Sequence, residues 1–197
     1  MLKAIRHNLK NLTNIHGRDG RKVFWLYLLF VVILNIAISL LASIPMMVAA
    51  MNAGFEVAQT GDSAAAEAAI FEQVVQYAPT AVWISFVVAI LNIVLLFASF
   101  IRRTHDTGLP GLIVAIPLVI HLVWMFISYR QIDGIEETMR AAVAAETGAA
   151  VAAEQSMQAG MIAQDLLGWL ALIIVMLVGI MKSQQGANAY GEGPKQI

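Results

Sequence analysis

Four long apolar stretches separated by polar segments dominate the pattern of this chain. A membrane-spanning helix needs about 20 mostly apolar residues. The stretches cover about 23–47, 79–101, 109–130 and 161–182, and the last reaches spanning length only by including polar residues before Leu166. The pattern therefore predicts an all-α fold, an integral membrane four-helix bundle formed by residues 23–182.

Two shorter segments flank the predicted bundle. In the head, residues 1–22, leucine and isoleucine recur every three or four positions up to Ile15, with basic residues between them. This spacing predicts a basic amphipathic helix on the anionic inner leaflet, and a solvated start is the alternative interpretation. Residues 183–197 form a polar tail. The outer segments between spans one and two and between spans three and four have helix-forming composition and are predicted to prolong the spans or lie along the outer surface.

Composition supports a membrane protein. The 197 residues are 59% hydrophobic and 13% charged, whereas soluble domains carry about 25% charged residues. The first apolar run exceeds the roughly 7–15 residues of a secretory signal, so we expect an uncleaved helix. Cysteine is absent, which excludes disulfides and thiol chemistry.

The basic residues predict the orientation, because lysine and arginine concentrate in cytoplasmic loops. Of the 12 basic residues, six precede Val23 and two follow span two, while Lys182 ends span four and Lys195 lies in the tail, which places ten on one side. Only Arg130 and Arg140 lie on the other side. Both termini and the middle loop are therefore predicted to face the cytoplasm.

Three polar residues inside the spans are predicted at similar depth: Asn35, Asn92 and His121. One interpretation is a hydrogen-bonded layer that fixes helix packing. The other is a polar route for a proton or small solute.

Three short motifs lie on the predicted cytoplasmic side. They are GRDGRKVFW from Gly17, RRTHDTGLPG from Arg102 and GANAYGEGP from Gly186. Together they resemble the bacterial inner-membrane family known as domain of unknown function 805, whose members look like small four-helix membrane proteins. The resemblance implies a location in the bacterial inner membrane and brings no established activity, substrate or cofactor.

The positions that match the family motifs form the candidate site. They are Gly17, Arg18, Arg21, Phe24, Trp25, Arg102, Arg103, His105, Asp106, Gly108, Gly111, Asn188, Tyr190, Gly191 and Pro194. The chain departs from the family pattern at Thr104, Leu112, Ile113 and Ala189.

The chemistry of the second motif allows several pairings. Arg102 and Arg103 end span two, where a guanidinium can bind lipid phosphate or a carboxylate. Asp106 can cap the third span or pair with an arginine of the head, Arg18 or Arg21. The glycines suit a tight turn, and His105 can join the same network.

These observations favour a non-enzymatic membrane scaffold or accessory protein. Its cytoplasmic motifs are expected to bind anionic lipid of the inner leaflet, a membrane-protein partner or a second copy, and not nucleic acid. The alternative is a small transporter or channel component that uses the layer of Asn35, Asn92 and His121. A membrane enzyme using His105 and Asp106 is the weakest hypothesis, because no second ligand cluster or nucleophile accompanies them. No catalytic residue, metal or cofactor is therefore predicted.

Overall fold

The computed structural model describes residues 1–131, 134, 137, 140 and 166–193, and within these residues the fold is helical and contains no β-strand. The all-α prediction is confirmed for this part of the chain. The helices are α1 Leu2–Lys10, α2 Arg21–Ala42, α3 Ile44–Thr60, α4 Ser63–Asp106, α5 Ala115–Gln131 and α6 Leu166–Ile180, with a 3-10 turn over Gly111–Val114 before α5.

Three of the described helices are long and apolar enough to cross a membrane: Arg21–Ala42, Ser63–Asp106 and Gly111–Arg130. The 22 residues of α2 make a helix of about 33 Å, which matches a hydrocarbon core of about 30 Å. Many large apolar side chains on these helices are exposed, as expected where the surroundings are lipid. The helix α6 is apolar but shorter, and residues 161–165 of the predicted fourth span lie outside the described residues.

The first apolar stretch is divided into two helices. The first span was predicted to reach residue 47, whereas α2 ends at Ala42 and α3 begins at Ile44. Pro45 explains the break, because a proline has no amide hydrogen to donate within a helix and is tolerated only in its first turn. The helix α3 then ends at Gly61, which adopts φ +71° in the left-handed conformation common at helix ends.

The second span is longer than predicted. Asp62 caps α4, accepting a hydrogen bond from the Ala65 amide at 3.0 Å, and the helix continues through Pro79 for 44 residues. Two alternatives were predicted for this outer segment, a helix that prolongs the span or a helix along the outer surface. The structure has the first, because the segment is continuous with the span. Most of the other outer segment, predicted between residues 131 and 164, lies outside the described residues.

The chain forms two compact units. The first takes its described residues from Met1–Asn35, Val88–Met125 and Ala163–Ile197, and it contains all three motifs. Its core is the cluster Phe24, Leu28, Phe100, Ile101, Val114 and Val178.

The second unit takes its described residues from Ile36–Val87 and Phe126–Ile162. Within it the Tyr77 hydroxyl donates to the carbonyl of Ala42. The ring of Trp83 meets the ring of Tyr129 edge-on, with 6.5 Å between centroids. These contacts fix local helix packing and involve none of the motif residues.

Candidate functional site

A buried group of five charged residues lies where α4 ends. We name Arg18, Asp19, Arg102, Arg103 and Asp106 the arginine cluster. None of them is more than 8% exposed. Arg18 and Asp19 precede α2, and the other three belong to the last turns of α4. The fold therefore joins the first two motifs through direct ion pairs.

Asp106 lies at the centre of the cluster. Its Oδ1 accepts from Nε and Nη2 of Arg18 at 3.3 and 3.2 Å. Its Oδ2 accepts from Nη1 of Arg103 and from the Ser183 hydroxyl, each at 2.5 Å. Of the two head arginines expected as partners, Asp106 pairs with Arg18, while Arg21 is exposed at the start of α2.

Arg103 caps the end of α6. Its Nη2 donates to the carbonyl of Gly179 at 3.2 Å and to that of Met181. The last carbonyls of a helix lack partners within the helix and carry its partial negative charge. A guanidinium is therefore well matched to this end of α6.

Arg18 holds the tail. Its Nη2 donates to the carbonyl of Gln184 at 2.5 Å, and its Nη1 donates to those of Gly186 at 2.6 Å and Gly191 at 3.4 Å. In addition, the amide of Gln184 donates to the Asp106 carbonyl at 2.8 Å. The third motif is thereby fixed to the first two.

Arg102 holds the head. Its Nε donates to Asp19 Oδ2 at 2.9 Å, and its Nη2 donates to the side-chain oxygen of Asn8 in α1 at 2.6 Å. Its Nη1 donates to the carbonyls of Asn11 and Asn14, at 2.8 and 2.5 Å. The other Asp19 oxygen lies 2.9 Å from His7 Nε2. Each arginine thus anchors a different segment: Arg102 the head, Arg103 the end of α6 and Arg18 the tail.

The charges of the cluster do not cancel, because three arginines face two aspartates. Backbone carbonyls supply the remaining acceptors, which lowers the cost of burying the third guanidinium. Replacing a whole buried ion pair by apolar groups is often neutral, whereas removing one partner costs about 3–5 kcal/mol. An arrangement that separated these ion-pair partners would incur this cost. The cluster therefore favours the observed arrangement of head, turn and tail.

The turn after α4 favours glycine at two positions. Gly108 adopts φ +81°, and a Cβ there would lie 2.6 Å from the Gln184 side-chain oxygen. At Gly111 a Cβ would lie 3.0 Å from Nε2 of His105. The two motif glycines thus permit close packing of the tail and of His105.

His105 belongs to a stacked arrangement with the tail. Its ring lies parallel to that of Tyr190, at 3.9 Å between centroids, and its Nδ1 is 3.3 Å from the Gly17 carbonyl. Asn188 donates to the His105 carbonyl at 2.9 Å and pairs with Gly191 through an isolated β-bridge. The His105 ring and the Asp106 carboxylate therefore have separate partners.

The aromatic pair at the start of α2 packs against α6. Phe24 is buried in the core of the first unit. Trp25 donates its indole hydrogen to the Gly179 carbonyl at 3.0 Å. A Cβ at Gly179 would lie 3.0 Å from both rings, so glycine allows this close approach.

The three polar residues predicted inside the spans line one cavity of about 270 Å³ in the first unit. Asn35 donates to the side-chain oxygen of Asn92 at 3.0 Å. Only these two residues and His121 have polar side chains among the 18 that line the cavity. The structure therefore brings the predicted layer together within apolar surroundings.

Three residues of this network were not among the candidate site residues predicted from the sequence: Asp19, a member of the arginine cluster, and Asn8 and Ser183, which bond to it. The asparagines at 8, 11 and 14 recur every three residues, a signal that could have marked the segment bound by Arg102. Most other acceptors are backbone carbonyls, which a sequence does not mark. Pro194, the last predicted motif residue, lies outside the described residues.

Apolar helices of spanning length, joined by a buried arginine–aspartate cluster, define an α-helical membrane protein whose head, turn and tail form one polar assembly. The chain belongs to the family described as protein of unknown function (DUF805), whose model matches residues 12–192. The family membership expected from the three motifs is thereby confirmed, and α1 precedes the matched residues. No curated protein and no solved structure matches the chain.

Proposed function

We propose that this protein is a non-enzymatic scaffold or accessory protein of the bacterial inner membrane. Four spans, the last over about 161–182, would place head, turn and tail in the cytoplasm. The excess of lysine and arginine around these segments supports that orientation. The arginine cluster would hold the basic helix α1 against the anionic inner leaflet.

The exposed surface of α1 carries this proposal. Its buried face consists of Ala4 and Asn8, and Asn8 is held by Arg102. At 100° per residue, Leu2 and Leu9 belong to an apolar stripe, with Leu2 82% and Leu9 42% exposed. The three exposed cations Lys3, Arg6 and Lys10 form the neighbouring stripe.

Such adjacent apolar and basic stripes suit a helix lying in the headgroup region. Within the described part of the chain, none of the three cations forms an ion pair. Each basic residue near an anionic surface contributes about 1 kcal/mol, so the stripe would contribute about 3 kcal/mol. By contrast, Arg102 and Arg103 have most of their donors bound to protein acceptors. Lipid recognition is therefore assigned to α1 and a structural role to the cluster.

The contacts of Asp106 support the non-enzymatic part of the proposal. Both carboxylate oxygens accept hydrogen bonds from arginines. The neighbouring His105 is stacked on Tyr190 and does not orient the carboxylate. A general base needs an accessible lone pair directed at its substrate, and this arrangement offers none on Asp106.

A fluorescent reporter on α1 tests the lipid contact. Because the chain lacks cysteine, Leu9→Cys can be labelled selectively with an environment-sensitive dye and reconstituted in nanodiscs. We expect emission at shorter wavelength in phosphatidylglycerol than in phosphatidylcholine. The combined substitution Lys3→Gln, Arg6→Gln and Lys10→Gln should abolish this difference.

The control is Arg130→Gln in the same labelled protein, because Arg130 is also exposed but lies at the far end of α5. It should leave the spectrum unchanged. Emission that is independent of lipid charge in the labelled parent protein would refute the proposal that α1 recognises anionic lipid.

Transport is the second candidate, favoured by the cavity that Asn35, Asn92 and His121 line together. The otherwise apolar lining gives little support to a hydrated route for a polar solute. His121→Ala should alter a solute or proton flux in liposomes if the route exists. An unchanged flux would exclude a transport role for this residue.

A further inference from the structure

The cavity of the first unit is large enough to hold a small organic molecule. Its volume is about 270 Å³, and its lining comes from α2, α4, α5, α6 and the 3-10 turn. For comparison, an engineered apolar cavity of about 150 Å³ in another protein binds benzene. A substituted ring therefore fits the available space.

Two polar atoms of the lining residues are buried and lack a hydrogen-bond partner among the described residues: Asn35 Oδ1 and His121 Nε2. The amide of Asn35 is oriented by its bond to Asn92, which uses the nitrogen and leaves the oxygen as an acceptor. Buried polar groups without partners are rare and unfavourable. Both atoms are therefore available to form a hydrogen bond with a ligand in this cavity.

A hydroxyl group matches this requirement, since it has one donor hydrogen and two acceptor lone pairs. It can donate its one hydrogen to Asn35 Oδ1 and accept a hydrogen bond from His121 in the tautomer that carries the hydrogen on Nε2. A hydrocarbon would leave both atoms unsatisfied. A strongly polar solute would have too few partners, because the remaining lining residues are apolar.

We propose that this cavity is a binding site for a lipid-soluble phenol or alcohol, whose apolar body occupies the cavity and whose hydroxyl binds Asn35 and His121. The occupant would enter from the hydrocarbon region of the membrane. The site is independent of α1 and of the arginine cluster, so it goes beyond the function proposed above.

Gly168 provides a way to fill the cavity. It lines the cavity, and a Cβ at this position would meet no atom within 4 Å among the described residues. Gly168→Leu should therefore occupy the space without a backbone clash. Gly54→Leu is the matched control, because Gly54 also has open space around it and lies in α3, outside the lining.

The test uses the full-length protein in nanodiscs, titrated calorimetrically with 4-propylphenol and with propylbenzene, and with empty nanodiscs as the reference for partitioning. We expect the phenol to bind about tenfold more tightly, which corresponds to about 1.4 kcal/mol. Asn35→Leu and His121→Phe should each reduce this ratio toward one. Gly168→Leu should weaken the binding of both probes, because it fills part of the cavity, and Gly54→Leu should leave it unchanged.

Two results would overturn the proposal. The first is equal affinity of the original protein for the two probes, or no saturable binding of either. The second is an unchanged affinity of both probes for Gly168→Leu, which would place the probes elsewhere. Both results come from proteins with intact polar residues, so they are informative even where Asn35→Leu or His121→Phe fails to fold.

Discussion

Asp106 is the residue whose replacement should most disturb the polar assembly of head, turn and tail. Its side chain is fully buried and accepts two hydrogen bonds from Arg18, one from Arg103 and one from Ser183. Asp106→Asn removes the negative charge and turns one acceptor atom into a donor. Two buried guanidinium groups then lose their carboxylate while keeping their carbonyl partners.

Removing one partner of a buried ion pair costs about 3–5 kcal/mol. Because Arg18 and Arg103 hold the tail and the end of α6, most of this cost should appear as local opening of residues 181–193. At about 1.4 kcal/mol per factor of ten, the open population should rise between about 10²-fold and 10⁴-fold. The amide of Gln184, which donates to the Asp106 carbonyl, should report the change directly.

Hydrogen–deuterium exchange of the tail, followed by mass spectrometry in nanodiscs, measures this opening. The matched control is Glu72→Gln, which breaks the ion pair with Arg140 on an exposed surface where both side chains are more than 40% accessible. Exposed pairs contribute little, so tail exchange should not change. If Asp106→Asn accelerates tail exchange by less than about threefold, the central role of this carboxylate is refuted.

Three further predictions concern single contacts. Gly108→Ala should destabilise the protein by about 1–2 kcal/mol, because a left-handed backbone is unfavourable for alanine. Thermal unfolding in detergent measures this change, and a midpoint equal to that of the parent protein would contradict it. Tyr190→Ala should speed hydrogen–deuterium exchange of the tail several-fold, because it removes the stack on His105, which is worth about 0.5–1.5 kcal/mol. Tyr190→Phe should not, and equal effects of the two substitutions would argue against stacking. Asn8→Ala should leave Arg102 with one acceptor fewer and increase tryptic cleavage at Lys10, whereas unchanged cleavage would show that α1 is held by other contacts.

The sequence predicted the helical architecture because apolar runs of spanning length leave few alternatives to helices in a membrane. The boundaries were less accurate. Pro45 is visible in the sequence as a possible cause of a helix break. The apolar composition on both sides of it nevertheless favoured a single span. The continuity of α4 through Pro79 was one of two predicted alternatives, and the sequence did not decide between them because helices in membranes often accommodate a proline.

The sequence predicted the residues of the candidate site better than it predicted their hydrogen-bond partners. The pairing of Asp106 with a head arginine was one of two options, and the structure selects Arg18. Arg102 and Arg103 were expected to bind lipid phosphate or a carboxylate at the headgroups. The structure pairs them with the carboxylates of Asp19 and Asp106, and both arginines are buried among protein acceptors. Many of those acceptors are main-chain carbonyls of the head, of α6 and of the tail. Their positions depend on the fold and not on residue type, so the sequence could not reveal them.

The most direct test of the account is the accessibility of single cysteines introduced into the cysteine-free chain. Thr13 in the head and Gln185 in the tail are exposed positions of the polar assembly, and Asp62 lies in the predicted outer loop. Each is replaced by cysteine in turn. In intact spheroplasts a membrane-impermeant maleimide should label Asp62→Cys alone, and permeabilisation should expose the other two. Labelling of Thr13→Cys or Gln185→Cys in intact spheroplasts would contradict a cytoplasmic assembly of head, turn and tail.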